Sequence, residues 1–255
     1  MPAKYFRSLT GKRRSASANR QLGFSLAFVA GATNAGGFLA VRQYTSHMSG
    51  IVSAIADQTA LGDFRLVSAG IGSLASFLVG AGCSAVLVNW GRRRSLQSQY
   101  VLPLVVEAAL LLLFGLLGSH LALREAFFVP VTVILLCFIM GLQNAMITKL
   151  SGAEIRTTHM TGIVTDLGIE LGKLFYWNRS ALAADAHAVI ANRAKLKIHG
   201  TMLGSFFVGG LIGAIGFKHV GYVSTVPLAG ALVTLAVVPV ADDVLSWLYR
   251  FERGH

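Results

Sequence analysis

Residues Thr157 to Leu171 read TTHMTGIVTDLGIEL, and Tyr44 to Thr59 read YTSHMSGIVSAIADQT. The two stretches align residue for residue, from His47-Met48-Ser49-Gly50-Ile51-Val52-Ser53 to His159-Met160-Thr161-Gly162-Ile163-Val164-Thr165. Each is a polar run rich in His, Ser and Thr, then a Gly, then an apolar run. Each also follows a Gly-x-x-Asn-Ala, at Gly31–Ala35 and Gly141–Ala145. A polar motif that occurs twice in an otherwise apolar chain marks the functional centre and divides the chain into two halves.

Other landmarks keep the same order. LAFVAGATNA (Leu26 to Ala35) matches LCFIMGLQNA (Leu136 to Ala145), and Ser76-Phe77-Leu78-Val79-Gly80 matches Ser205-Phe206-Phe207-Val208-Gly209. Pro103-Leu104 matches Pro227-Leu228. Only 13% of the 255 residues are charged and 54% are hydrophobic, with a mean hydropathy of +0.64. A soluble domain carries about 25% charge, so the composition is that of an integral membrane protein. Apolar runs long enough to cross a bilayer as helix predict six spans, at about 21–42, 68–90, 101–119, 126–148, 199–217 and 221–240. Ala30-Gly31-Ala32 resembles a signal cleavage site, but cleavage there would separate Asn34 from the helix on which its twin Asn144 sits.

Each half then holds three spans and one motif segment. Because three is odd, the second half must insert upside down relative to the first, the inverted-repeat plan of many transporters. Lys and Arg set the orientation: with the N-terminus inside, the inside segments hold eighteen and the outside ones only Arg42, Arg65, Arg124 and Lys218. That bias places both termini in the cytoplasm. The expected organisation is a basic tail (1–20), a first repeat (21–119), a second repeat (120–244) with a cytoplasmic loop at 176–198, and a short tail (245–255). The net charge of +11 is spent on this topology, not on a nucleic-acid-binding patch. The lipid bilayer is the expected partner, no nucleic acid is, and self-association is left open.

The motif segments are too short to span. Ser49 to Leu61 is 13 residues, about 20 Å of helix against about 30 Å of hydrocarbon. They are either re-entrant half-helices or amphipathic helices lying at opposite surfaces. Gly72, Ser76, Gly80 and Ser84, and Ser205, Gly209 and Gly213, are small residues every four positions, which let helix backbones approach in lipid.

The candidate solute-binding residues come from the paired motifs: Asn34, Ser46, His47, Ser49 and Gly50 in the first half; Asn144, Thr158, His159, Thr161, Gly162 and Asp166 in the second. Ser49 and Thr161 stand where an N-cap would, ahead of amides that lack internal partners and attract anions. His47 and His159 can donate a hydrogen bond or exchange a proton near neutral pH. If the half-helices meet near the middle, the two histidines form a pair. Glu107, the acid well inside a span, joins them as a proton-coupling candidate. Asp166, Glu170 and Lys173 form one helical stripe that could line a cavity or lie against headgroups.

No nucleophile elbow, HExxH or phosphate-binding loop occurs, so no enzyme activity, metal or cofactor is expected. Asp185 and His187 form an isolated pair on an Ala-rich stretch, expected to be a surface helix. Cys83 and Cys137 are small core residues by context.

NAGGFLAV with YTSHMSGIVSAIAD, and GLQNA with TTHMTGIVTDLGIELGK, resemble the YoaK family of bacterial inner-membrane proteins, over essentially the whole chain after Arg20. The resemblance implies a bacterial cytoplasmic-membrane protein and no activity, since the family is a domain of unknown function. Many relatives carry Asp where this chain has Asn34, and Asn where it has Ile51 and Ile163. The expectation is therefore an all-α, six-span, inverted-repeat protein that moves a small polar or anionic solute. The alternative is a non-transporting scaffold or sensor whose motif helices lie at the surface.

Overall fold

A computed structural model of the chain describes residues 16–94, 100–121, 125–150, 158–176 and 189–237, and every regular element among them is helical. In chain order these are α1 (Ala16–Val41), α2 (Met48–Leu61), α3 (Phe64–Arg93), α4 (Val101–Leu121), α5 (Glu125–Leu150), α6 (Met160–Phe175) and α7 (Arg193–His219). A 3-10 turn, Gly221–Ser224, leads into α8, residues 225–237. α1, α3, α4, α5 and α7 are long and apolar enough to cross a membrane. The sixth span, expected at 221–240, is described as an apolar helix only over Gly221–Val237, and its end lies outside the described residues. So do residues 1–15 and 245–255 of the two tails, and Asp185 and His187.

α3 and α7 begin earlier than hydropathy predicted, because each has a polar N-cap at the corresponding place. Asp63 accepts a hydrogen bond from the Leu66 amide (3.1 Å), and Asn192 accepts one from the Lys195 amide (3.0 Å). A side-chain oxygen on an otherwise unpartnered amide of the first turn fixes the start of a helix. At 30 and 27 residues, α3 and α7 are longer than the roughly 20 residues a bilayer core requires.

The small-residue faces are where the halves interlock. A Cβ on Gly31 of α1 would fall onto the Phe206 carbonyl oxygen of α7, and one on Gly209 of α7 onto the Phe28 carbonyl oxygen of α1. The corresponding residues do the same between α5 and α3: Gly141 meets the Phe77 carbonyl, and Gly80 the Phe138 carbonyl. Glycine is required at all four, since backbone occupies the space a side chain would need. Ser76 Oγ also donates to the Ile134 carbonyl (2.7 Å), tying α3 to α5.

These pairings fix directions. Gly31, Gly213 and Gly36 of α1 and α7 pair in ascending order with Phe206, Ala32 and Phe217, so α1 and α7 run parallel. α3 and α5 do too, from Ser76–Ile134 at one end to the Lys149 ammonium on Asn89 Oδ1 (2.9 Å) at the other. α1 and α5 cross antiparallel, with Gly37 facing Leu136 and Gln143 Nε2 donating to the Leu26 carbonyl (3.2 Å).

The core is formed chiefly by α1, α4, α5 and α8, with Leu26, Leu104, Phe114, Leu136, Met140 and Leu232 among its buried members. Phe114, Phe217 and Tyr222 pack as an aromatic cluster, with ring centroids 5.7 to 6.3 Å apart. α3 and α7 expose large apolar side chains outward, among them Leu78, Val79 and Val86, and Phe207, Leu211 and Ile215. An apolar exterior of this extent suits lipid, not water.

Candidate functional site

The motif segments form α2 and α6, and each folds back along the long helix that follows it. Gly62, in the left-handed conformation (φ 77°), turns α2 directly into α3, with the Asp63 amide donating to the Gln58 carbonyl (3.0 Å). Ile55 packs over Gly70, and His47 and Gly50 line the same groove as Gly72 and Ser73. The N-terminus of α2 therefore points along α3 toward the body of the bundle. At 1.5 Å per residue, Ser73 is about 14 Å along α3 from its start. α6 runs antiparallel to the start of α7 in the same way, with Asp166 on Lys195 and Glu170 on Asn192.

The N-caps of α2 and α6 are His47 and His159, two residues earlier than Ser49 and Thr161, which fall inside the helices and are exposed. Neither imidazole caps through its side chain. Each ring instead lies over the motif glycine, so that a Cβ on Gly50 would press on His47, and one on Gly162 on His159. At both glycines the close neighbour is the chain's own histidine.

The two histidines are not brought together. His47 lies just past the end of α1, beside the starting halves of α3 and α5; His159 lies just past the end of α5. Since α1 and α5 cross antiparallel, the chain enters the two motifs from opposite ends of the bundle. Each motif helix docks on the long helix of its own half, and the groove lined by His47 does not include His159.

At the α2 end, Asn34 Oδ1 accepts a hydrogen bond from Ser46 Oγ (3.0 Å), joining two candidate residues. His47 and Gly50 line a groove of about 860 Å³ between the end of α1, α2, and the starts of α3 and α5. Its walls are largely apolar, with Ile51, Ile55, Val133 and Ile134, and it also carries Arg42 and Arg65. No carboxylate is among its lining residues.

At the α6 end the charged side chains pair with one another. Asp166 pairs with Lys195 (3.1 Å) and approaches His199 (3.8 Å). Glu170 accepts from the Lys173 ammonium (2.8 Å) and from the Asn192 amide (2.7 Å). The Glu170 side chain is 4% exposed, covered but at the edge of the bundle. The Lys173 hydrogen bond, then the Asn192 amide, hold its carboxyl below the usual value. Asn144 Oδ1 has no hydrogen-bond partner among the described residues, and Thr158 is half-buried nearby in sequence. Glu107 is fully buried in α4, and neither carboxylate oxygen has a partner among the described residues.

Sequence reasoning passed over Arg42 and Arg65, which entered only as outside charges, and over Lys195 and His199. The last two lie four apart on α7, the spacing that meets a carboxylate on a facing helix.

Residues 22–238 match the family described as a protein of unknown function, DUF1275. The chain belongs to that family. No curated protein and no solved structure matches it. The earlier resemblance to the YoaK family is consistent with membership of DUF1275, and together with the apolar helices the chain is read as a multi-pass membrane protein.

Proposed function

We propose that this DUF1275 protein is a six-span, inverted-repeat transporter or channel for a small polar or anionic solute, in the bacterial cytoplasmic membrane with both termini inside. The observation that carries the reading is the groove beside the motif helix α2, which holds Arg42, Arg65 and His47. Supporting the inverted repeat are the reciprocal glycine contacts, which relate α1 to α5 and α3 to α7 with reversed direction. The eighteen-to-four distribution of basic residues supports the orientation.

The scaffold or sensor reading requires motif helices lying flat at the surfaces; the antiparallel docking of α2 on α3 and α6 on α7 favours the re-entrant one. No enzyme role is proposed. Uptake into proteoliposomes, screened over small anions and neutral metabolites, tests transport. Saturable uptake of one class, absent from empty liposomes, is the expected result; no uptake of any would refute it.

A further inference from the structure

The charges around the α2 groove are not part of the repeat. In the second half the place of Arg65 is taken by Ala194, and Asp166 stands where the first half has Ala54. Neither Arg42 nor Arg65 has an ion pair among the described residues, and both are exposed. Two unpaired guanidiniums and an imidazole bordering one groove, with no lining carboxylate, attract an anion.

Arg42 also carries a backbone cost. It follows the last turn of α1 with its amide donating to the Phe38 carbonyl (2.8 Å) and with φ of 56°, the one non-glycine residue at positive φ among those described. Glycine is the usual residue at such a helix end, as Gly62 is at the end of α2. An arginine kept in a strained conformation points to a use for its side chain.

The apolar walls decide what kind of anion. An inorganic ion needs donors on all sides, whereas Ile51, Ile55, Val133 and Ile134 offer none. The volume, about 860 Å³, is in the range of small-molecule sites, about 300–1,000 Å³.

We propose that the groove between α1, α2, α3 and α5 binds an organic carboxylate with an apolar body, its carboxylate on Arg42 and Arg65 and its body on the isoleucines of α2 and the α5 wall. The proposal rests on the transport reading for the ligand's being cargo; binding itself is measured separately. The probe is radiolabelled octanoate, offered to the full-length protein in phosphatidylcholine nanodiscs, with empty nanodiscs as the partition control.

Saturable binding is expected, with acetate and octylamine unable to compete at equal concentration. Arg42→Gly and Arg65→Gln are each expected to weaken it at least tenfold. Arg42→Gly relieves the backbone, so its melting temperature should not fall, which separates lost binding from lost fold. The proposal is overturned by octanoate retention no greater than in empty nanodiscs, by wild-type affinity in both variants, or by phosphate competing as well as octanoate. Loss of octanoate binding when phosphatidylglycerol is included would assign the groove to an anionic lipid and also overturn it. Binding without uptake would leave the site in place and remove the transport reading.

Discussion

Two kinds of glycine do different work here, and substitution separates them. Gly31, Gly80, Gly141 and Gly209 each face a backbone carbonyl of another helix, which cannot swing aside. Gly31→Ala or Gly209→Ala should force α1 and α7 apart and cost about 1–3 kcal/mol, read as a lowered melting temperature of the purified protein. Gly50 faces the His47 ring, a side chain that can rotate away. Gly50→Ala should therefore leave melting nearly unchanged and move the imidazole, seen as a changed histidine ring resonance by NMR. Equal destabilisation at both sites would mean that the motif glycine serves packing alone. Glu170 supplies a pH test. Its carboxyl is held below the ordinary value of 4.5, so the contact it makes is stabilising above the unfolded-state pKa and is lost as pH falls through the lower folded one. Hydrogen-exchange protection of the Asn192 amide should be lost in the wild type as pH falls below the ordinary carboxylate range, and Glu170→Gln should remove that pH step.

Between elements, the same motif helix is attached in two ways. One tight turn at Gly62 joins α2 to α3, so the hairpin needs no further tie. Between α6 and α7 the chain runs from Tyr176 to Asn192, and side-chain ties hold the hairpin together. Asp166 and Lys195 are each 39% exposed, so their pair contributes no more than about 1 kcal/mol. Asp166→Asn should raise the labelling rate of a cysteine at Met202, one turn beyond His199 on α7, by up to about fivefold. The background for this test has Cys83 and Cys137 replaced by Ala. Unchanged labelling would show that the pair does not control access at that end.

For the whole molecule, antiparallel α3 and α7 put the end of α3 and the start of α7 on one side of the membrane. Cysteines at Arg93 and Asn192 should react with impermeant reagent only from the cytoplasm, and those at Leu61 and His219 only from outside. Arg93 and His219 labelled from the same side would refute the inverted arrangement. The fully buried, unpartnered Glu107 belongs to this scale as well, since α4 joins the two halves through α5 and the 3-10 turn.

The sequence by itself determined the helical class, the apolar spans, the duplication and the small-residue faces. Each of these is local: a run of hydropathy, a period of four, or a pattern repeated in order, as at Ser76–Gly80 and Ser205–Gly209. Helix starts were legible only in part, because Asp63 and Asn192 extend α3 and α7 by capping, which hydropathy does not register. The candidate site divided along the same line. The motifs revealed His47, Asn34 and Ser46, and the structure joins the last two. Only tertiary structure decided that His47 lines a groove with α3 and α5 residues while α6 lies along α7, since that depends on which helix each motif docks against. Tertiary structure likewise decided that Arg42 and Arg65, 23 residues apart in the chain, border one groove, and that Asp166 meets Lys195 and His199. A charge reads the same in sequence whether it orients a loop, closes a gate or faces a ligand; what distinguishes these roles is the neighbour that folding brings to it.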